Sequence, residues 1–376
     1  MSPNFNKKPA FINRNTELQF LKNWINQSPE QLLFIFGPKS SGKTTLLMRF
    51  IDKHLQNKQF DIKHFNLRKM LIANYKDFVQ SFFEMDYGRS SKEHCKRKKE
   101  YNLKVFKMTN ETLKDLENKR LDPFVVMNHE IEKLCQKGKR PIIIIDELQA
   151  LEDIYLNGQR QLLKELFNFF VAITKESHLC HVIIASSDGY FMKRIYEDSK
   201  LTKTSDFFEV DYLNEQDAKY WLSNLEKESA IVSYKLSQKQ INLIWDYLGG
   251  SLWEISDVLG KLIAMANNKK IADPDLMQVI ERHITIVKGR FFHYARINPL
   301  KKALLDSIFA IQKQTNEFNE SNLQHLVNKD QFNETRLTDE LITLVRLNYL
   351  SFNPVTSSYK LQGHSMYYGL KSFLGL

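Results

Sequence analysis

Up to about residue 212, short apolar runs alternate with longer segments whose apolar residues recur at helical spacing. The runs at 31–36, 61–66, 141–145, 181–185 and 207–212 have the length of strands. Those at 31–36 and 141–145 are apolar at nearly every position, as strands covered on both faces are. Helical spacing occupies 11–25, 43–54, 75–86, 109–119, 122–137 and 159–173, and Asp122 with Pro123 supplies an N-cap and a first helical position. This alternation predicts an α/β unit, a five-stranded parallel sheet with helices on both faces.

Beyond residue 213 the strand signal stops. Segments 214–227, 237–248, 251–267 and 273–287 have helical spacing, with Asn214, Ser237 and Asp273 (followed by Pro274) as candidate caps. The last stretch predicts helices at 299–312, 321–327 and 334–346, then a hairpin over 349–361 that turns around Asn353–Pro354 and Thr356 to Ser358. Three helices and a hairpin form the winged-helix pattern. The expected organisation is 1–212 as the α/β domain with a basic insertion at about 88–108, 213–290 as an all-α lid, and 291–376 as a winged helix.

Length supports this division, since 376 residues suit two or three domains. The three cysteines, Cys95, Cys135 and Cys180, form no CxxC pair, which argues against zinc or disulfide frameworks and fits a reducing compartment. The N-terminal residues lack a signal-peptide pattern, and no apolar run approaches the ~20 residues of a membrane helix. The expectation is a cytoplasmic protein without a membrane partner. The net charge of +10 is concentrated: residues 89–107 hold eight basic and two acidic side chains. A solvated insertion accounts for that stretch most simply. The sharper reading is a phosphate-contacting arm with Tyr101 and Phe106 as stacking groups.

Gly37-Pro38-Lys39-Ser40-Ser41-Gly42-Lys43-Thr44 satisfies GxxxxGK[ST] and is followed by Thr45. It lies after a predicted strand and before a predicted helix, the context in which that spacing carries chemistry. Successive loop amides make an anion nest. Gly37 and Gly42 permit the backbone angles, and the helix beginning near Lys43 points its positive end at phosphate. Lys43 then reaches the β- and γ-phosphates, and the Thr44 hydroxyl ligates Mg²⁺. About 100 residues on, Ile142 to Ile145 run into Asp146 and Glu147. Asp146 is the expected metal carboxylate and Glu147 the general base for the attacking water. The strand at 181–185 ends at Ser186 and Ser187; Ser187 is the choice for a γ-phosphate or water contact, with Ser186 as the alternative. Arg14 is placed near the adenine or ribose, against the simpler reading of a surface arginine. ATP or ADP with Mg²⁺ is the implied ligand set, and ATP hydrolase the implied activity.

Together these residues resemble the archaeal-type ATPase family of the STAND class, relatives of the AAA+ ATPases. Phe11-Ile12-Asn13-Arg14-Asn15-Thr16-Glu17-Leu18 is similar to that family's opening block. The phosphate loop, Ile144-Ile145-Asp146-Glu147-Leu148-Gln149 and Ile183-Ile184-Ala185-Ser186-Ser187 follow its next three. The resemblance implies a five-stranded sheet, a helical lid and a winged helix, working as a switch between closed ADP and open ATP states. Two features depart from it. The family arginine before the fifth strand is missing from 198–204, leaving Lys203 and Arg194 as candidates. The lid opens on Gly249-Gly250-Ser251-Leu252, without the family's proline. Slow turnover and looser nucleotide sensing by the lid follow from these departures.

Three functions compete: a STAND-like ATPase switch, a DNA-binding AAA+ initiator or transposition-type regulator, and a nucleotide-binding module that hydrolyses little. The helix at 334–346 sets Glu334, Asp339 and Glu340 against Arg336 and Arg346, a poor balance for a phosphate surface. Its Leu337, Leu341, Ile342 and Leu344 are most simply core. A protein partner or intramolecular docking is therefore preferred to DNA for the winged helix. Nucleotide-dependent oligomerisation is compatible with the pattern.

Overall fold

The computed structural model describes residues 7–85, 105–155, 160–198, 203–328 and 332–376. Most of the basic stretch at 89–107, including Tyr101, lies outside them.

Strands β1 (Leu32–Phe36), β2 (Phe60–Asn66), β5 (Arg140–Asp146), β6 (His181–Ala185) and β7 (Ser205–Glu209) form one sheet in the order β2-β5-β6-β1-β7. All four pairings are parallel. The apolar runs of β1 and β6 are buried at every position, and only Arg140 of β5 is less than buried, because the three central strands are covered on both faces. Alternate residues go to opposite faces. Leu32, Phe34, Ile143, Ile145, Val182 and Ile184 pack under α3 (Tyr75–Phe82), α5 (Pro123–Gln136) and α6 (Leu162–Val171). Leu33, Ile35, Ile142, Ile144 and Ile183 pack under α1 (Asn15–Ile25) and α2 (Lys43–His54). The register sets Asn66 beside Asp146 and Asp146 beside Ala185, so the polar residues that end these strands share one sheet edge.

Residues 11–14 are not helical; α1 begins at Asn15, and Ile12 is buried among lid side chains instead. Segment 75–86 is divided: α3 ends at Phe82, and β3 (Phe83–Met85) pairs in parallel with β4 (Phe106–Met108). Phe106 is therefore core, 1% exposed and packed against Phe65 and Phe83, which removes it as a base-stacking group. Helix α4 (Asn110–Glu117) is capped by Thr109, and α5 by Asp122. A helix the sequence pattern did not predict, α7 (Gly189–Asp198), follows β6.

The lid comprises α8 (Glu215–Ser223), α9 (Leu225–Ser229), α10 (Gln238–Leu248), α11 (Leu252–Leu262) and α12 (Asp273–Ala295), around Trp221, Tyr234, Ile244 and Leu259. Segment 214–227 is thus two helices, interrupted at Asn224. Asp273 is not a cap. It occupies the first turn of α12, and its carboxylate accepts from Lys239 and Gln240. Helix α12 continues eight residues past the predicted end at 287, with Ile284 in the lid cluster and Val287 in the C-terminal one. The C-terminal unit has α13 (Pro299–Gln312), α14 (Gln324–Asn328), α15 (Glu334–Arg346), the antiparallel hairpin β8 (Leu350–Asn353) and β9 (Ser358–Leu361), and an unpredicted α16 (His364–Leu374). This is a winged helix with an added terminal helix that packs along α12.

The hairpin docks on the α/β unit. Tyr190 stacks on Phe352 at 4.3 Å, Lys193 lies over the same ring, and Lys360 reaches Asp211 at 2.5 Å and Glu209 at 3.5 Å. Gly189 is required there, because a Cβ would meet the Phe352 carbonyl oxygen at 2.1 Å. In α15, Leu337, Leu341 and Leu344 are buried and Ile342 half-buried, so its apolar side is core.

Candidate functional site: a phosphate loop facing a paired acidic edge

The loop between β1 and α2 turns on two positive-φ glycines. At Gly37, φ is +144°, and a Cβ would meet the Val210 carbonyl oxygen at 2.2 Å. At Gly42, φ is +94°, with the Leu252 side chain of the lid closing on it. Lys43 opens α2 and is 6% exposed. Its ammonium donates to the carbonyls of Gly37 and Pro38, both at 2.9 Å. Burial pushes its pKa down to about 8, while Glu147 and Asp146 pull it back up. A buried cation there is a strong receptor for phosphate charge.

Thr44 donates its hydroxyl to Asp146 Oδ2 at 2.6 Å, across 102 positions of sequence. The other Asp146 oxygen, Oδ1, is buried with no hydrogen-bond partner. A buried carboxylate oxygen without a donor suits a cation, and a hydroxyl beside it completes a hard-oxygen pair of the kind Mg²⁺ takes. Asn66 reaches Oδ2 at 3.4 Å and orients the group. Glu147 takes a left-handed conformation (φ +65°), is 5% exposed, and lines the same cavity as the loop residues Lys43 and Thr44. Arg68 and Gln149 each donate to it, through Glu147 Oε1 and Oε2. Burial raises the Glu147 pKa above the usual carboxylate range, with Arg68 opposing.

The two serines separate by orientation. Ser186 is fully buried, and its hydroxyl bonds Gln149 at 2.9 Å and the Asp188 amide at 3.0 Å. Ser187 faces the cavity. That cavity, of about 320 Å³, draws its polar lining from Ser40, Gly42, Lys43, Thr44, Thr45, Arg68, Glu147 and Ser187. Its apolar lining comes from Ala10, Phe11, Ile12, Trp221 and Leu252. Ser41 and Lys39 of the loop do not line the cavity and give their carbonyls to Arg14 and to the Tyr212 hydroxyl. Arg14 lines the cavity, but its guanidinium is engaged by Glu17, the Ser41 carbonyl and the Asp211 carbonyl. Arg194 is paired with Glu152, and neither Arg194 nor Lys203 is among the cavity-lining residues. Arg68 escaped sequence reasoning; its signal was a basic residue two positions past a strand whose end lies beside Asp146, visible only once the strand order is known.

The profile of an ATPase domain found predominantly in Archaea matches residues 11–258. An uncharacterised ATP-binding protein of Methanocaldococcus jannaschii is 39% identical over 277 residues, 73% of this chain and 75% of that one. Among solved structures, a Walker-type ATPase of Pyrococcus abyssi superposes with a TM-score of 0.64 at 16% identity, covering 99% of both chains. The ORC2 protein of Aeropyrum pernix, solved in ADPNP–ADP complexes, gives a TM-score of 0.54 at 12% identity over 98% of this chain and 95% of that one. The two structural likenesses speak to the fold.

Proposed function

This chain belongs to the family of ATPase domains found predominantly in Archaea, a P-loop ATP-binding protein, and from that premise we propose that it hydrolyses ATP with Mg²⁺ as a slow, STAND-like nucleotide switch. One observation carries the proposal: Lys43 and Thr44 of the phosphate loop meet Asp146 and Glu147 at one edge of the sheet, with 2.6 Å between Thr44 and Asp146.

The β- and γ-phosphates take the place of the Gly37 and Pro38 carbonyls around the Lys43 ammonium. The free loop amides, to which Pro38 contributes none, surround the same oxygens and stabilise charge as it develops. Thr44 and Asp146 are the residues that would hold the metal, which would supply positive charge against the phosphates. Glu147 takes a proton from water as its oxygen bonds to the γ-phosphorus, and the bond to the β–γ bridging oxygen breaks. A raised Glu147 pKa suits a base that must accept that proton. Ser187 orients the water or a γ-oxygen. The apolar lining receives the base, and Arg14, which also lines the cavity, serves the adenine or ribose. Lys43→Ala is expected to abolish ATP binding, and Glu147→Gln to keep binding and lose turnover. Persistent phosphate release by Glu147→Gln refutes the base assignment.

The working units are 1–212, 213–290 and 291–376. Docking of the hairpin on α7 and Lys360 on Asp211 support intramolecular or protein contact for the winged helix over DNA. The initiator-like alternative gains the lead if duplex DNA binds with steep salt dependence and the binding is lost on removing 300–376. Light scattering with and without ATP reads the oligomerisation expected of such a switch.

A further inference from the structure

Residues 198–204 hold no arginine, where the resembled family has one. Among the described residues, three cationic side chains line the cavity: Arg14, Lys43 and Arg68. Arg14 is spent on Glu17 and two backbone carbonyls, and Lys43 belongs to the phosphate loop. Arg68 stands on the short 3-10 turn Leu67–Lys69 directly after β2, whose last residue, Asn66, registers with Asp146. Its side chain is 52% exposed, so it has room to move, while its partner Glu147 is 7% exposed and held in place.

We propose that Arg68 supplies the missing arginine in cis, leaving Glu147 for the γ-phosphate when ATP is bound. This rests on the reading of the cavity as an ATP site with the γ-phosphate between Thr44 and Glu147. A general base sits about 3 Å from its water, and that water about 3 Å from the atom it attacks, so the carboxylate now holding Arg68 lies within about 6 Å of the γ-phosphorus. That is a rotation of one arginine side chain. The guanidinium then chooses between one carboxylate and a phosphoryl group of greater charge whose oxygens match its fork. With ATP the phosphate wins. With ADP there is no γ-oxygen, and Arg68 stays on Glu147. A single movement therefore neutralises the phosphate and releases the base, so Arg68 discriminates ATP from ADP as well as speeding the reaction.

The test compares wild type, Arg68→Ala and Arg68→Lys by titration with ADP and with a non-hydrolysable ATP analogue, and by phosphate release. Arg68→Ala is expected to weaken the analogue about tenfold or more, to leave ADP within twofold, and to lower kcat by about 10² or more. Arg68→Lys is expected to restore charge without the fork and to recover part of each. An unchanged analogue-to-ADP ratio with faster turnover overturns the proposal, because Arg68 is then only a restraint on Glu147. An unchanged ratio with unchanged turnover overturns it as well. Lys43→Ala is the separate control: if it keeps full nucleotide affinity, the ATP-site reading itself fails, whatever Arg68 does.

Discussion

His181 begins β6 and packs edge-on against Trp24 at 5.0 Å, with 3% of its surface exposed. Its Nε2 is buried without a partner, so a proton placed there has no acceptor. Burial, with the Arg140 charge nearby, pushes its pKa down to about 4, and a hydrogen bond to the Gln27 backbone works the other way. The folded chain thus keeps the ring neutral where the unfolded chain, near the ordinary 6.5, takes up a proton. Stability from this residue is full above pH ~6.5 and is lost as pH falls toward ~4. One proton per pH unit is worth about 1.4 kcal/mol, so the loss is about 1.4 kcal/mol at pH 5.5 and about 2.5 kcal/mol at pH 4.5. Other groups titrate in the same range, so the assay is a difference. Urea unfolding of wild type and His181→Phe, which keeps a ring against Trp24, is followed at pH 7.5, 5.5 and 4.5. The stability gap is expected to widen in favour of the variant by those amounts. Parallel pH profiles for the two proteins refute a buried neutral imidazole.

Gly37→Ala sets a methyl 2.2 Å from the Val210 carbonyl at a φ of +144°, so the loop must shift; ATP affinity is expected to fall about tenfold or more, and an unchanged titration would show that the loop tolerates the side chain. Gly189→Ala drives a methyl into Phe352 and is expected to lift the hairpin from α7. Amide exchange across Leu350–Leu361 should speed up while β1 and β5 stay protected, and equal exchange in both proteins counts against the docking geometry.

The sheet was legible because its central strands are continuous apolar runs, and each ends at residues whose spacing has a chemical cause. The phosphate loop, Asp146 and Glu147 are legible for that reason, and the register now sets Asn66, Asp146 and Ala185 side by side. Ser187 and Ser186 could not be told apart by sequence, since both follow the same strand; the bond from Ser186 to Gln149 separates them. Helix α7 was missed because Ser186-Ser187-Asp188-Gly189 reads as a turn, although Asp188 also bonds the Phe191 amide as a helix start does. The basic stretch read most simply as a solvated insertion, with an arm as the sharper alternative; Phe106 at its end is drawn into the core by Phe65 and Phe83, a tertiary preference that local charge does not report. Arg68 is the plainest case: its importance comes from a neighbour 79 positions away.

Helix α12 has 23 residues, about 34 Å at ~1.5 Å per residue. Leu276 and Ile280 anchor one half among the lid side chains, and Phe291 and Tyr294 anchor the other in the C-terminal cluster. No joint separates the two halves, so they turn as a single lever. A tilt of ~10° at the lid end carries the far end through about 6 Å, more than the thickness of the aromatic stack between Tyr190 and Phe352. Were the lid to tilt where Leu252 of α11 meets Gly42, the helix would magnify that motion into a displacement at the hairpin's seat larger than the contact that holds it.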